Sequence, residues 1–339
     1  MLLLFQLFID SKKLSVNLKV KMKIAYLILA HQYPEQLLRL ILSRNTENTS
    51  FFIHINQKTD QEIYNKFEKE LNHLPNVHFI KRQVIYLFDF GHTQASLQGI
   101  KEVIESKVDF DWLILSTGQD YSIKSNHYIK NFFRENEGKI FLDYMDNLVV
   151  TDRGWINRGA DNINYWHVRL GKLRFVFPGT LNLNSHNRYC NSPKLWYQML
   201  SFLWDRVVPL FPTKRKFPEG FTPFRGSAYW CFPRDCVEYI YDFIQRDRGF
   251  VNYFKYVDGP DEMFFQTLLL TSPLKDRVVN DNLFFIDWEN PNPSFPRVFE
   301  KCDFERLVNS PKLFARKFDA TRDSEILDLL DQKVLQEAK

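Results

Sequence analysis

Beginning at Met22, the chain alternates short apolar segments with longer amphipathic ones, and this alternation constrains the fold more than any other feature of the sequence. The short segments have the composition of strands, and the longer ones have helical periodicity. The predicted strands cover residues 23–30, 50–56, 77–80 and 112–116, and the predicted helices cover about 33–41, 59–74 and 93–106. Residues 112–116 are apolar almost throughout, which is typical of a strand buried on both faces. The pattern predicts an α/β fold with a mostly parallel sheet flanked by helices.

Polar residues directly follow three of these strands. Ligands of open α/β sheets bind at the carboxyl ends of the strands, so we expect His31, Asn56 and the segment 117–120 to lie along one ligand-binding edge. His31 is interpreted either as a ligand contact or as a hydrogen-bonded structural residue. Gln119 and Asp120 end the central strand, and Asp120 either contacts a ligand or fixes the turn that follows.

The second half of the chain is less regular. Residues 147–222 mix aromatic, amide and basic side chains without a clear period, which favours an irregular insertion or lid. A mixed pattern then resumes, with a strand at 228–232, helices at about 234–246 and 261–270, and a strand near 283–288. We expect a single domain over 22–335, with halves at 22–146 and 147–335. Residues 1–21 are either a short peripheral helix or an extension outside the fold.

Composition excludes several classes of protein. A net charge of +4, from 45 basic and 41 acidic residues, is too balanced for bulk nucleic-acid binding, so no nucleic-acid partner is expected. The four cysteines are too few for a disulfide framework and show no paired metal-ligand spacing. No apolar run is long enough to span a membrane, and residues 1–9 lack the features of a secretory signal. These features predict a cytoplasmic protein.

Two acidic residues stand at the start of an apolar segment, in the sequence Gly-Pro-Asp-Glu-Met-Phe-Phe at residues 259–265. Capping alone explains an acidic residue at a helix N-terminus, where unpaired N–H groups and the helix dipole favour a carboxylate. We interpret Asp261 as the cap. Glu262 is then free to face a pocket as a general base.

Two adjacent cations, Arg316 and Lys317, lie among apolar residues near the C-terminus, in the sequence Leu-Phe-Ala-Arg-Lys-Phe-Asp at residues 313–319. A solvated surface would explain charged residues, but the apolar neighbours argue against that interpretation. Fixed cations in such a setting suit an anionic leaving group.

Seven landmarks in a fixed order resemble the core-2/I-branching family of glycosyltransferases, which includes branching β-1,6-N-acetylglucosaminyltransferases and peptide O-xylosyltransferases. The landmarks are residues 30–31, 52–55, 115–124, 225–230, 260–262, 285–288 and 313–319. The resemblance covers about residues 23–330 and indicates a bacterial-type member. It implies a GT-A fold, a sugar-nucleotide donor, inversion at the anomeric carbon and no metal or other cofactor.

The resemblance also implies roles for individual residues. It assigns the base to Glu262 and places a basic pair, Arg297 and Lys317, against the donor pyrophosphate, with Arg316 able to share that task. Most GT-A enzymes instead hold a divalent ion with an Asp-x-Asp motif at the carboxyl end of a strand. The triplet at 109–111 precedes its strand, so we expect its carboxylates to point away from the nucleotide.

The full set of expected contacts extends to both substrates. Donor contacts are expected from His31, Asn56, Gln119, Asp120, Arg297, Arg316 and Lys317. Contacts with the sugar or the acceptor are expected from Arg158, Trp166, Ser227, Tyr229, Asp261 and Trp288. Tyr229 and Trp288 are interpreted either as stacking platforms for a sugar or as ordinary core residues. Two departures from the family pattern bear on donor preference, namely Asn56 in place of an acidic residue and the absence of a tryptophan just before Gly91.

The sequence thus predicts an inverting, metal-independent transferase that moves N-acetylglucosamine or xylose from its UDP derivative to a hydroxyl of a glycan or glycoconjugate. A metal-dependent GT-A enzyme and a catalytically inactive carbohydrate-binding protein are the alternatives. A nicotinamide-dependent oxidoreductase is disfavoured, because no Gly-x-Gly-x-x-Gly turn follows the first strand. We expect a location at the inner face of a bacterial membrane, with peripheral membrane association as an option.

Overall fold

The computed structural model describes residues 21–145, 162–170, 173–177, 206, 215–289 and 295–335. Strands and helices alternate through the first half of the chain. Its elements are β1 (Ile24–Ala30), α1 (Pro34–Arg44), β2 (Thr49–Ile55), α2 (Gln61–Leu71), β3 (Val77–Phe79), α3 (Gly91–Glu105), β4 (Trp112–Thr117), β5 (Asp120–Ser122), α4 (Asn126–Glu135) and β6 (Ile140–Leu142). The predicted elements of this half are confirmed to within a few residues.

The second half contains shorter elements. They are β7 (Trp166–Leu170), β8 (Leu173–Phe177), β9 (Trp230–Pro233), α5 (Arg234–Arg246), α6 (Arg248–Phe254), a 3₁₀ turn (Pro260–Glu262), α7 (Phe264–Leu270), β10 (Val278–Val279), β11 (Phe284–Ile286), α8 (Phe304–Val308), β12 (Phe314–Arg316) and α9 (Glu325–Leu330). Among these helices and the others in the described ranges, none is long and apolar enough to cross a lipid bilayer.

Within the described residues the main sheet has the strand order β10-β6-β9-β4-β1-β2-β3. Neighbouring strands are parallel except for β9, which runs antiparallel to both β4 and β6. Strand β1 lies inside the sheet, and all seven of its side chains are buried. Those of Ile24, Tyr26 and Ile28 join one apolar cluster, whereas those of Ala25, Leu27 and Leu29 join the other. Apolar layers therefore cover both faces of a mostly parallel sheet, which confirms the predicted α/β class.

A small second sheet brings the C-terminal segment to the carboxyl edge of the main sheet. Strand β12 is parallel to β11 and antiparallel to β5, and Arg316 of β12 pairs in register with Asp120 of β5. Because β5 begins just after β4 ends, this pairing fixes the position of Arg316 and of Lys317, which follows it. Residues nearly two hundred positions apart in the sequence thus meet at one edge.

Two predictions about the second half were wrong. Strands β7 and β8 form an antiparallel pair inside the segment predicted to be irregular, although most of 147–222 lies outside the described residues. The helix predicted to start at Asp261 begins instead at Phe264, after the 3₁₀ turn. Gly259 starts that turn in the left-handed conformation, with φ 63, and Met263, with φ −135, separates the turn from the helix.

Candidate active site

The carboxyl ends of β1, β2 and β4 lie side by side. The N–H of Asn56 donates to the carbonyl of Ala30 over 2.9 Å, and the N–H of Gly118 donates to the carbonyl of Leu29 over 3.1 Å. His31, Asn56 and the turn after β4 therefore share one edge of the sheet, as predicted. This edge is the usual ligand-binding position of an open parallel sheet.

Asp120 is completely buried and holds the turn after β4. One oxygen accepts hydrogen bonds from the Thr117 N–H at 2.6 Å and the Ser116 hydroxyl at 3.1 Å. The other accepts from the Thr117 hydroxyl at 2.8 Å and from Arg316 Nη1 at 3.0 Å. Of the two interpretations left open by the sequence, these contacts support the structural one.

Gln119 joins the same turn to the C-terminal segment. Its backbone carbonyl accepts from the Phe318 N–H at 2.9 Å, and its side-chain amide donates to the Phe318 carbonyl at 3.3 Å. Asn56 performs a similar task on the other side of the edge. Its side chain donates to the carbonyl of Ile85 at 3.1 Å and accepts from the Ile85 N–H at 3.2 Å. Both amides thus position the loops that border the edge.

Arg316 and Lys317 differ in how their charge is used. Arg316 donates to Asp120 and, over 2.6 Å, to the hydroxyl of Thr117. Within the described part of the chain, the Lys317 ammonium forms no hydrogen bond or ion pair. Desolvation, followed by repulsion from Arg316, lowers the pKa of Lys317, while Asp319 opposes the change. The charge of Lys317 is therefore less compensated by neighbouring carboxylates than the charge of Arg316.

The charge of Arg316 also affects two histidines, and the pKa of each is lowered. Desolvation lowers the pKa of His31, and repulsion from His92, Lys317 and Arg316 adds to the effect. His92 lies in the first turn of α3, where burial and then Arg316 lower its pKa to about 4. A bound anion would relieve this repulsion. His92 was missed by the sequence analysis, and the one signal that could have found it is its place in the segment that departs from the family pattern.

The guanidinium of Arg297 already has carboxylate partners. It makes two parallel hydrogen bonds to Asp303, of 2.7 and 2.9 Å, and lies 3.5 Å from an oxygen of Asp287. The segment that carries Arg297 runs beside Lys317, because the Phe299 N–H donates to the Lys317 carbonyl over 2.8 Å. Arg297 must therefore exchange partners before it can bind a phosphate, whereas Lys317 need not.

Glu262 ends the 3₁₀ turn and faces Arg225. Both Nε and Nη2 of Arg225 donate to Oε2 of Glu262, the first over 3.0 Å. The Glu262 side chain retains 30% exposure, against 13% for Arg225. Asp261 makes no side-chain cap, so the prediction that it caps the helix was wrong. The physical reason is that the turn places Asp261 before the break at Met263, one turn away from the first N–H groups of α7.

Two glycines allow the segments around Glu262 to approach closely. A Cβ at Gly226 would lie 1.8 Å from the carbonyl oxygen of Asp143, so only glycine fits there. Its N–H donates to the carbonyl of Glu262 over 2.8 Å, which joins the Arg-Gly-Ser segment to the Pro-Asp-Glu turn. Gly259 supplies the positive φ that starts this turn.

Opposing effects set the protonation of the two acidic residues. Burial raises the pKa of Glu262, Arg225 lowers it, and Asp261 raises it further. Burial also raises the pKa of Asp261, to about 6, while hydrogen bonds from backbone N–H groups and the charge of Arg225 oppose the rise. A carboxylate with a raised pKa in a partly open position is suited to proton transfer.

Tyr229 is buried beside Arg316. It is 8% exposed, and its ring packs against Phe284 with centroids 4.5 Å apart. The guanidinium of Arg316 lies 5.5 Å from the same ring. Burial raises the pKa of Tyr229, Arg316 lowers it, and Asp120 and then Asp261 raise it. Tyr229 thus belongs to the core, in line with the second of the two interpretations from sequence, and it lies three residues after Gly226, whose N–H binds the Glu262 carbonyl.

The structure gives the local surroundings of three further residues that were expected to contact the sugar or the acceptor. Trp288 follows β11 and is 56% exposed, so its ring is available for stacking. Trp166 of β7 packs its edge against Tyr256, with ring centroids 5.2 Å apart. The Ser227 hydroxyl accepts from the Tyr229 N–H at 3.4 Å. Arg158 lies outside the described residues.

The acidic triplet at 109–111 lies at the opposite edge of the sheet, as predicted. Asp109 pairs with Lys23 at 2.5 Å and with Arg234 at 2.8 Å. Asp111 accepts from the Lys23 N–H over 2.7 Å. Among the described residues, no three His, Cys, Asp or Glu side chains cluster in a way that could hold a metal ion. Metal independence itself stays a prediction.

This fold, with a carboxylate and a cation at the carboxyl edge of a mostly parallel sheet, is consistent with a GT-A glycosyltransferase. Residues 24–308 match the model of the Core-2/I-Branching enzyme family. The chain therefore belongs to the Core-2/I-branching enzymes, as its landmarks indicated.

Individual relatives are distant. The chain is 24% identical to xylosyltransferase 2 of Rattus norvegicus, over 91% of this chain and 33% of that protein. It is also 24% identical to the beta-glucuronosyltransferases GlcAT14A and GlcAT14B of Arabidopsis thaliana. Those matches cover 89% and 97% of this chain and 61% and 71% of the relatives. The chain thus spans one third of the length of the first relative and less than two thirds of GlcAT14A.

Proposed function

We propose that the protein is an inverting, metal-independent glycosyltransferase that moves xylose or N-acetylglucosamine from a UDP-sugar to a hydroxyl of a glycan or glycoconjugate. The observation that carries this proposal is that one short segment contacts both charged groups: the Gly226 N–H donates to the Glu262 carbonyl over 2.8 Å, and the Tyr229 ring lies 5.5 Å from the Arg316 guanidinium. Residues 226–229 thus connect the proposed base to a proposed leaving-group cation, as a transfer that uses both requires.

In this mechanism Glu262 accepts the proton of the acceptor hydroxyl as its oxygen attacks C1 of the donor sugar. The bond from C1 to the acceptor oxygen forms while the bond from C1 to the phosphate oxygen breaks, so a single displacement inverts the anomeric carbon. General-base catalysis of this kind contributes about 10² to 10⁴ in rate. The raised pKa of Glu262 makes it a stronger base than an exposed carboxylate.

Lys317 and Arg316 stabilise the departing UDP. A unit charge pair about 4 Å apart gains about 4 kcal/mol at an effective dielectric constant near 20, so two cations suffice to replace a metal ion. Lys317 is suited to this task because its charge has no partner at contact distance within the described residues, and its lowered pKa returns towards normal when a phosphate binds. Arg297 is proposed to assist after exchanging its contact with Asp303.

The relatives named above are a xylosyltransferase and two beta-glucuronosyltransferases, and we infer a UDP-sugar donor for this chain on that basis. Asn56 supports no choice between donors, because its side-chain amide is bound to the backbone of Ile85. Xylose and N-acetylglucosamine, the two donors predicted from the sequence, are the sugars to test first. The location at the inner face of a membrane stays a prediction.

A chelator experiment tests the proposal. UDP-sugar hydrolysis and transfer are measured with a panel of UDP-sugars, with and without EDTA. We expect full activity in EDTA with at least one donor. Loss of activity in EDTA that Mn²⁺ restores would show a metal-dependent enzyme, and glycan binding without UDP binding or UDP-sugar turnover would show an inactive carbohydrate-binding protein.

A further inference from the structure

We propose that Arg225 is a positioning residue that keeps the Glu262 carboxylate ionised and turned with one oxygen towards the acceptor hydroxyl. This inference rests on the proposed role of Glu262 as the general base. It concerns a residue that lies in the Arg-Gly-Ser landmark but was not among the expected site residues.

The hydrogen bonds divide the two oxygens of Glu262 between two tasks. Nε and Nη2 of Arg225 both donate to Oε2. Within the described residues, Oε1 takes part in no hydrogen bond. Arg225 is the more buried partner, with 13% exposure against 30% for Glu262, so the carboxylate is the more accessible member of the pair. Oε1 is thus the oxygen left for the proton of the acceptor.

Backbone hydrogen bonds hold both residues in place, which limits the movement of the side-chain pair. The carbonyl of Arg225 accepts from the Met145 N–H over 2.7 Å, and the Gly226 N–H donates to the Glu262 carbonyl over 2.8 Å. Gly259 closes the turn against the pair, because a Cβ built there would lie 3.8 Å from Oε2 of Glu262 and 3.9 Å from Nη2 of Arg225. A rigid frame of this kind restricts the carboxylate to one orientation.

The charges around Glu262 explain why a cation is needed. Burial raises its pKa, and Asp261 from its own turn and Asp258 from the preceding segment raise it further. Helix α3 packs against the turn, and the histidine of its first turn, His92, is neutral near pH 7 because its pKa is about 4. Helix α7, which follows the turn, has no titratable side chain. Arg225 is therefore the cation that offsets two neighbouring carboxylates.

Three variants test this role. Arg225→Met removes the charge and keeps the length of the side chain, Arg225→Lys keeps the charge, and Arg277→Met is the matched control. Arg277 also binds one carboxylate with two nitrogens, at 2.6 and 3.0 Å from Asp235, but it lies outside the site. Arg225→Gln replaces the first variant if Arg225→Met does not fold.

The first measurement is the pH dependence of kcat. We expect the acidic limb for Arg225→Met to move upward by about one pH unit or more, since a base without its cation holds its proton to a higher pH. At pH values below the limb a one-unit movement lowers kcat about tenfold, while KM for the donor changes less than about twofold. Arg225→Lys restores most of the profile, and Arg277→Met leaves it unchanged.

The second measurement does not depend on activity. The carboxyl carbon of Glu262 is followed by ¹³C NMR through a pH titration of selectively labelled enzyme, and Glu262→Gln identifies its resonance. We expect the titration midpoint to rise in Arg225→Met by the same amount as the acidic limb of kcat. An unchanged midpoint and limb would overturn the role of Arg225.

The two proposals fail in different ways. If Glu262→Gln loses turnover but the profile of Arg225→Met equals that of the wild type, the base stands and the positioning role of Arg225 falls. If Glu262→Gln turns over at the wild-type rate, the general-base function is wrong, and the inference about Arg225 falls with it.

Discussion

Nη1 of Arg316 lies 3.0 Å from Oδ1 of Asp120, a carboxylate that has no solvent exposure. The contact joins β12 to the turn after β4, so the cation that we assign to the leaving group is fixed by the strand ends that form the edge of the sheet. The same carboxylate accepts three further hydrogen bonds from Ser116 and Thr117. We therefore expect stability and donor binding to depend on this one buried group.

We expect Asp120→Asn to cost about 3 kcal/mol of unfolding free energy and to weaken UDP binding. The amide has nearly the same shape, but it leaves Arg316 without its buried partner and turns one acceptor oxygen into a donor that faces other donors. Urea unfolding and calorimetric titration with UDP measure the two effects. Asp235→Asn is the control, because the exposed Asp235 pairs with Arg277 at the surface and should cost less than about 1 kcal/mol. Equal small losses for both variants would contradict the role of Asp120.

Glu262→Gln should preserve UDP affinity and reduce turnover by about a hundredfold or more, because the amide cannot accept the proton of the acceptor. Steady-state kinetics and UDP titration of the same preparation separate the two quantities. Glu238→Gln provides a control at an exposed residue that also pairs with an arginine. Turnover within about twofold of the wild type would remove Glu262 from the mechanism.

Lys317→Ala should weaken UDP binding more than uridine binding, because only UDP carries the phosphates that the ammonium is proposed to contact. A loss of at least tenfold for UDP corresponds to about 1.4 kcal/mol. Lys301→Ala is the control, since Lys301 is an exposed cation of the same C-terminal region and pairs with Glu325. Equal losses for UDP and uridine would show that Lys317 does not contact the phosphates.

The fold was predictable because its evidence is local. Each strand and helix of the first half is encoded in a run of adjacent residues, and the right-handed connection of parallel strands then leaves few arrangements. The edge that holds His31 and Asn56 follows directly from that arrangement. The position of the triplet at 109–111 was predictable for the same reason, since it precedes a strand.

The details of the site depend on contacts between distant segments. Arg225 and Glu262 are separated by 37 positions, and no periodicity indicates that their side chains meet. The role of Asp261 was mispredicted because a 3₁₀ turn and an α-helix begin with the same residues, and only the backbone at Gly259 and Met263 separates them. The carboxylate partners of Arg297 could not be predicted, because Asp303 lies in a segment without a recognisable motif.

UDP binding should be coupled to proton uptake at His31. Desolvation and then neighbouring basic groups lower the pKa of His31, and a bound diphosphate would raise it again. His31 should therefore gain a proton on binding, and UDP affinity should rise as the pH falls from the pKa of His31 in the complex to its lower pKa in the free protein. Calorimetry in buffers of different ionisation enthalpy measures the protons taken up. The difference between the wild type and His31→Asn separates this effect from titration of the phosphate, and equal uptake by both proteins would contradict it.

Gly226→Ala should destabilise the protein far more than Gly220→Ala, because a methyl group at Gly226 would lie 1.8 Å from the carbonyl oxygen of Asp143. That oxygen belongs to the backbone and cannot rotate away, so the Arg-Gly-Ser segment has to move. The cost should be at least about 3 kcal/mol.

Gly220→Ala is the matched control: its φ of 82 is strained for alanine, but no atom lies within 4 Å of the added methyl, so its cost should be about 1 kcal/mol. Urea unfolding of the two variants compares close approach with backbone strain. Because the Gly226 N–H also holds the turn of Glu262, the folded fraction of Gly226→Ala should in addition lose turnover. Equal stability losses in the two variants would show that the segments around Glu262 are not packed as closely as described.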